Sequence, residues 1–98
     1  MQADSFQIHD LCDLRNYIHQ TLCDFNDFEL GAFQFTERIL LRNGVACGMY
    51  FCLHGPRSVK LTAIWETDRN TILFYSPTGE RLHRTRLSSA PSLAAAAA

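Results

Sequence analysis

Cysteine and histidine are the first residues here with chemistry to offer. His9, Cys12, Asn16, His19 and Cys23 lie along one flank of the N-terminal segment. His19 and Cys23 are four apart, so on a helix they share a face and can reach one metal ion. Cys12 stands about two turns from His19, at roughly 1.5 Å of rise per residue, and cannot join them. A metal site would then need Cys52 or His54 from elsewhere, and the short paired spacings of zinc sites are missing. Cys47 and Cys52 are five apart, which puts them on opposite faces of a strand. His19, Cys23 and Cys52 are therefore weak metal candidates. In the ordinary reading Cys12 and Cys23 widen a buried stripe and the histidines sit at its wet margin. No cofactor is called for.

A nucleophilic thiol is the second possibility. Cys52 and His54 share a strand face at i,i+2, a spacing too wide for an ideal hydrogen bond within one strand. Arg57 and Lys60 are near in sequence, but a reactive thiol also needs exposure. The familiar catalytic signatures are absent: no phosphate loop, GxGxxG, HExxH, CxxC or GxSxG. No two carboxylates are placed as a general acid and base. This reading leans against an enzyme.

Arginines are the third resource. If the chain is a meander, its alternate loops share an end. Arg42 and Arg69 then meet at one end, with Arg84 or Arg86 returning toward them. His54, Arg57 and Arg81 meet at the other. Each group can hold an anion such as phosphate. The ordinary reading is solvated charge at loop ends.

These side chains must be positioned by a small α+β domain. From Asp4 to Phe25 the chain reads as an amphipathic helix, with Asp4 and Gln7 at capping-box spacing. Ile8, Leu11, Leu14, Ile18, Leu22 and Phe25 form its apolar stripe, and Asn26-Asp27 ends it. Ala32–Leu41 alternates as a first strand, broken by Glu37, which either finds a partner or marks a bulge. A three-residue 42–44 loop with Gly44 left-handed would pair Leu41 with Val45, Ile39 with Cys47 and Phe35 with Phe51, lining up the apolar rows.

Val45–Trp65 is the centre of the fold: two alternating strands around His54-Gly55-Pro56-Arg57-Ser58. The expected register sets Leu53 opposite Val59, Phe51 opposite Leu61, Met49 opposite Ala63 and Cys47 opposite Trp65. A polar 67–70 loop pairs Trp65 with Ile72 and Ala63 with Phe74. Thr71–Ser76 is the fourth strand. A Pro77-Thr78-Gly79 turn leads to Arg81–Leu87, a polar fifth strand suited to an exposed edge. The single domain spans 1–87, and the Ala-rich 88–98 tail is expected to be disordered or artefactual.

The helix is expected on the Phe35/Phe51/Leu61/Phe74 face. Leu40, Ala46, Tyr50, Cys52, Ile64, Leu73 and Tyr75 lie on the other, which is too apolar to be fully wet. Either the sheet curls into a partial barrel or another subunit covers this face. In element order, a helix followed by five strands, the chain resembles the Sm-like RNA-binding fold. Its Asn43-Gly44 is followed by Gly48 one residue earlier than the Sm pattern has it, and the second Sm signature is missing. That resemblance implies RNA as a ligand, and Tyr50 or Tyr75 offers a ring for a base.

Net charge is −1 but unevenly spread. Residues 1–30 carry six acids against Arg15 alone, while residues 31–60 carry Glu37 against Arg38, Arg42, Arg57 and Lys60. Such a chain is not a typical nucleic-acid binder, which is basic overall. There is no signal peptide and no membrane-length apolar run, so the cytoplasm is expected, with free thiols. The leading expectation is a non-enzymatic interaction module that binds itself, as a homodimer, or another protein. Tyr50, Ile64 and Tyr75 would be buried at that interface. The alternative is a nucleic-acid or phosphate-ligand binder using Arg42, Arg69, His54, Arg57 and Arg81.

Overall fold

Asp10 begins the helix. Its carboxylate accepts the Asp13 N–H at 2.9 Å, one of the donors a helix start leaves unpaired, and the Asp13 carboxylate accepts the N–H of His9, just before the cap, at 2.9 Å. A computed structural model of the chain describes residues 8–88, with α1 at Leu11–Asn26. The helix therefore starts later than the sequence suggests over residues 8–10, because Asp10 caps more effectively than it propagates. The Asp4/Gln7 box, and the tail from residue 89, lie outside the described residues. Asp27 closes α1 in the left-handed conformation (φ 54°), with its N–H returned to the Cys23 carbonyl.

Five strands follow: β1 Gln34–Arg42, β2 Val45–His54, β3 Lys60–Glu66, β4 Thr71–Tyr75 and β5 Arg81–Arg86. They form one antiparallel sheet in the order β1-β2-β3-β4-β5, unclosed, with β1 and β5 at its edges. The fold is the expected α+β meander. The helix lies on the expected face, burying Leu11, Leu14, Ile18 and Leu22 against Phe51, Leu53, Leu61, Trp65 and Phe74. Side chains of this size stabilise by about 1.5–3 kcal/mol each on full burial. Tyr17 and Cys23 join the stripe, whereas Cys12, expected to widen it, is exposed. Phe25 is only partly covered, edge-on to Phe74 at 5.9 Å. Glu37 is not bulged: it faces the helix and accepts from Arg15 Nε at 2.6 Å.

Two registers differ from expectation. The three-residue 42–44 loop does not form. Asn43 (φ 53°) and Gly44 (φ 80°) make a two-residue turn that pairs Arg42 with Val45. That turn alone would put the apolar rows on opposite faces. A bulge at Cys47, between the pairs Leu41↔Ala46 and Leu40↔Gly48, restores them, so that Ile39 faces Met49 and Phe35 faces Leu53. The Cys47 carbonyl then accepts both the Thr67 N–H (3.1 Å) and the Thr67 hydroxyl (2.9 Å). In the next hairpin Leu53 pairs with Leu61 rather than Val59, Phe51 with Ala63 and Met49 with Trp65. Here Arg57 (φ 58°) and Ser58 (φ 64°) are both left-handed, and a single 3₁₀ turn closes the loop one residue later than expected. Trp65↔Ile72 and Ala63↔Phe74 are as expected. No helix among the described residues is long and apolar enough to cross a membrane.

Candidate functional site

The strand registers build the face away from the helix as three rows. One runs Arg38–Tyr50–Ile64–Leu73–Arg84 across β1 to β5. On one side of it lies Thr36–Cys52–Thr62–Tyr75–Arg81; on the other, Leu40–Gly48–Glu66–Thr71–Arg86. Each row ends on an arginine of β5. Tyr50, Ile64, Leu73 and Tyr75 are half-buried within the sheet alone. The Arg38 guanidinium lies over the Tyr50 ring, 4.9 Å from its centroid, a contact worth about 0.5–1 kcal/mol at an exposed site. His54 Nε2 and Thr36 Oγ1 share a hydrogen bond of 2.9 Å.

The thiol and metal candidates fall apart in space. Cys52 is on the open face yet buried, and burial pushes its thiol up, opposed by Lys60 and by a hydrogen bond with Tyr50. Such a thiol is not activated. His19 and Cys23 lie on α1, on the other side of the sheet. His19 stacks on Phe35 at 4.4 Å with its Nε2 enclosed and unpartnered, and burial lowers its pKa. Cys23 is buried and likewise pushed up by burial, then by Asp24. Among the described residues no three His, Cys, Asp or Glu groups are arranged to hold a metal ion.

The arginines fare differently. Arg42 is tied to Asp68 at 3.5 Å, an exposed pair that contributes little. Arg69, Arg84 and Arg86 line one depression of about 510 Å³ whose remaining wall is Thr71. Among the described residues no carboxylate pairs with any of the three. Arg69 also lines an adjoining depression with Leu40, Arg42, Ile64, Glu66 and Asp68. Of the group expected at the opposite end, His54 ends β2 opposite Lys60, Arg57 lies in the turn that follows, and Arg81 opens β5 opposite Tyr75.

Asn70 positions the cluster. It is left-handed (φ 49°), its Oδ1 accepts from the buried Trp65 indole at 2.9 Å, and its Nδ2 donates to the Leu87 carbonyl at 3.2 Å. The Leu87 N–H returns to the Asn70 carbonyl at 2.9 Å. The turn that carries Arg69 is thereby fastened to the end of the strand that carries Arg86. Between the two β5 arginines, Thr85 points inward and shares a 2.8 Å hydrogen bond with the Tyr17 hydroxyl of α1. The sequence signal for this was present in the i,i+2 spacing of Arg84 and Arg86; Asn70 carried none.

Charge divides the same way. Residues 8–33 carry five acids against Arg15, and residues 34–88 carry eight bases against four acids, of which Glu37 faces the helix. Against this geometry, the chain matches no protein-family profile, no curated protein and no solved structure.

Proposed function

We propose that this chain is a non-enzymatic protein-interaction module whose working surface is the open sheet face, and that its partner is an acidic protein segment with an apolar anchor. One observation carries the reading: the row Arg38–Tyr50–Ile64–Leu73–Arg84, an apolar centre closed at both ends by guanidinium groups. Tyrosine and arginine are the residues that most often anchor protein interfaces, around a dry centre with a polar rim.

Charge and area select the occupant. Glu66 is the one acid in these three rows, against Arg38, Arg81, Arg84 and Arg86. A two-fold pairing of two such faces brings one arginine-rimmed surface onto another, and like-charge juxtaposition is costly. Strands of 9, 10, 7, 5 and 6 residues, at roughly 3.4 Å per residue and 4.8 Å spacing, give roughly 600 Å² in plan. A standard interface takes about 800 Å² from each partner, so a segment of one or two strands suits this face better than a second copy.

The test is selection from a displayed random-peptide library against the immobilised full chain, repeated with Ile64→Glu. The expected result is enrichment of acidic peptides bearing an aromatic or aliphatic anchor, with affinity at least about tenfold weaker for Ile64→Glu, the loss of one good apolar anchor. No enrichment, or binding indifferent to Ile64→Glu, overturns the reading. A doubled solution mass that Ile64→Glu halves would replace the acidic partner with a second copy.

A further inference from the structure

We propose that Arg69, Arg84 and Arg86 form a phosphate-recognition site, so that the segment bound by the open face carries a phosphorylated serine or threonine. The inference rests on the interaction-module reading and names the chemistry of its partner.

The site is one depression lined by three arginines and Thr71; Glu66, the cross-strand neighbour of Thr71, lies outside that lining and forms no ion pair with any of the three. Thr71, on the same face and 6% exposed, has its hydroxyl committed to the Arg69 carbonyl at 2.9 Å. The arginines therefore supply the outward-facing donors. Arg84 and Arg86 alternate with the inward-facing Thr85, so their Cα atoms stand about 6.8 Å apart on the same face, given roughly 3.4 Å per residue. From that spacing two planar forks can converge on the oxygens of a single phosphate while Arg69 closes from the turn. The scaffold is held in place by Asn70 at the turn and by the Tyr17–Thr85 hydrogen bond beneath the strand.

Three cations exceed what a carboxylate needs. A carboxylate carries one charge and is satisfied by one fork, whereas a phosphomonoester near neutral pH carries about −1.5 to −2 and three acceptor oxygens. A protein segment is favoured over a nucleic acid by the neighbourhood. Arg69 also lines the adjoining depression, where the apolar Leu40 and Ile64 stand beside Arg42, Glu66 and Asp68, so the anion site continues into a mixed apolar and charged surface of the kind a protein segment meets. The ring in the central row, Tyr50, already has Arg38 over it, and the helix side of the molecule is acidic. A single-strand binder presents free rings along a continuous basic groove.

The experiment follows the arginine Nε–Hε resonances of the full chain. The probes are N-acetyl-phosphoserine amide, its glutamate counterpart, and a single-stranded oligothymidylate, all at equal ionic strength. Phosphoserine is expected to shift Arg69, Arg84 and Arg86 saturably, to bind more tightly as pH rises through about 6, where the dianion forms, and to outbind glutamate at least tenfold. Arg69→Gln, a change outside the three rows of the open face, weakens that response at least tenfold while leaving the Ile64-dependent binding of unphosphorylated peptides in place. Equal shifts at Arg57, no saturable shift, or tighter binding of oligothymidylate would each overturn the proposal. If unphosphorylated peptides still bind and phosphoserine does not, the phosphate site fails and the open-face reading stands. If phosphoserine binds and no peptide depends on Ile64, the open-face reading fails, and with it the partner assigned here.

Discussion

Gly48→Ala is expected to be the most damaging one-methyl change in the sheet. A Cβ built on Gly48 meets the Trp65 carbonyl oxygen at 2.3 Å and its carbon at 3.3 Å, both backbone atoms that no rotamer change can move. To reach an ordinary contact the two strands must separate by about 1 Å, next to the bulge that sets the β1–β2 register. Overpacking of this kind costs about 1–3 kcal/mol. One or two ladder hydrogen bonds near Cys47, Glu66 and Thr67 stretch with it, at about 0.5–1.5 kcal/mol each. Alanine recovers about 0.4–1 kcal/mol by stiffening the unfolded chain, so the central values of these terms leave a net loss of about 3 kcal/mol. For a chain of this size that lowers Tm by roughly 10–25 °C. The assay is thermal and urea unfolding followed by circular dichroism, with an unchanged urea slope showing that the unfolding is comparable. The control is Gly44→Ala, where the space is open and only φ (+80°) opposes a side chain, at about 1–2 kcal/mol. A Gly48→Ala variant no less stable than Gly44→Ala would refute the reasoning.

Asn70→Ala removes the Trp65 and Leu87 hydrogen bonds and leaves alanine in a left-handed position. The expected cost is about 2–4 kcal/mol by urea titration, with faster amide exchange along β5. Burial holds the His19 pKa below its usual value, so the unfolded chain takes up that proton first. Its contribution is full above about pH 6.5 and is lost as pH falls through the lowered folded-state value. His19→Phe, which keeps the stack on Phe35, is expected to lose less stability than the wild type between pH 7.5 and 5.5, read from urea midpoints. With a thiol reagent at neutral pH, Cys12 is expected to react at once and buried Cys23 and Cys52 only on unfolding, measured by the time course of modification. Rapid reaction of Cys52 in the folded protein would reopen the thiol reading.

The faces of the sheet were legible from alternation alone, because burial controls parity. Register was less so. Asn43-Gly44 calls for a two-residue turn, and the parity it breaks is repaired by a bulge at Cys47 that hydrophobic alternation does not announce. At the 55–59 loop, two left-handed non-glycine residues permit a closure that composition gives no reason to expect. By contrast, the 67–70 turn keeps the expected four-residue length with a single left-handed residue, Asn70, and there the expected register is the observed one. Over residues 8–10 the helix is absent because Asp10 serves as its N-cap, a role that the apolar periodicity alone does not reveal. Which arginines share a surface depends on register and on Asn70, so Arg42 and Arg69 could be grouped from loop order, whereas Arg69 with both Arg84 and Arg86 could not. The separation of His19 and Cys23 from Cys52 follows from alternation as well, which sets the helix on the Phe51 face and Cys52 on the other.

The most direct test of the central claim is a backbone amide shift map of the full chain with the tightest acidic peptide from the display selection. The account predicts that the largest changes fall on Tyr50, Ile64, Leu73, Tyr75 and Arg84, with α1 unmoved. Changes centred on the outer face of α1, or spread evenly over both faces, would contradict it.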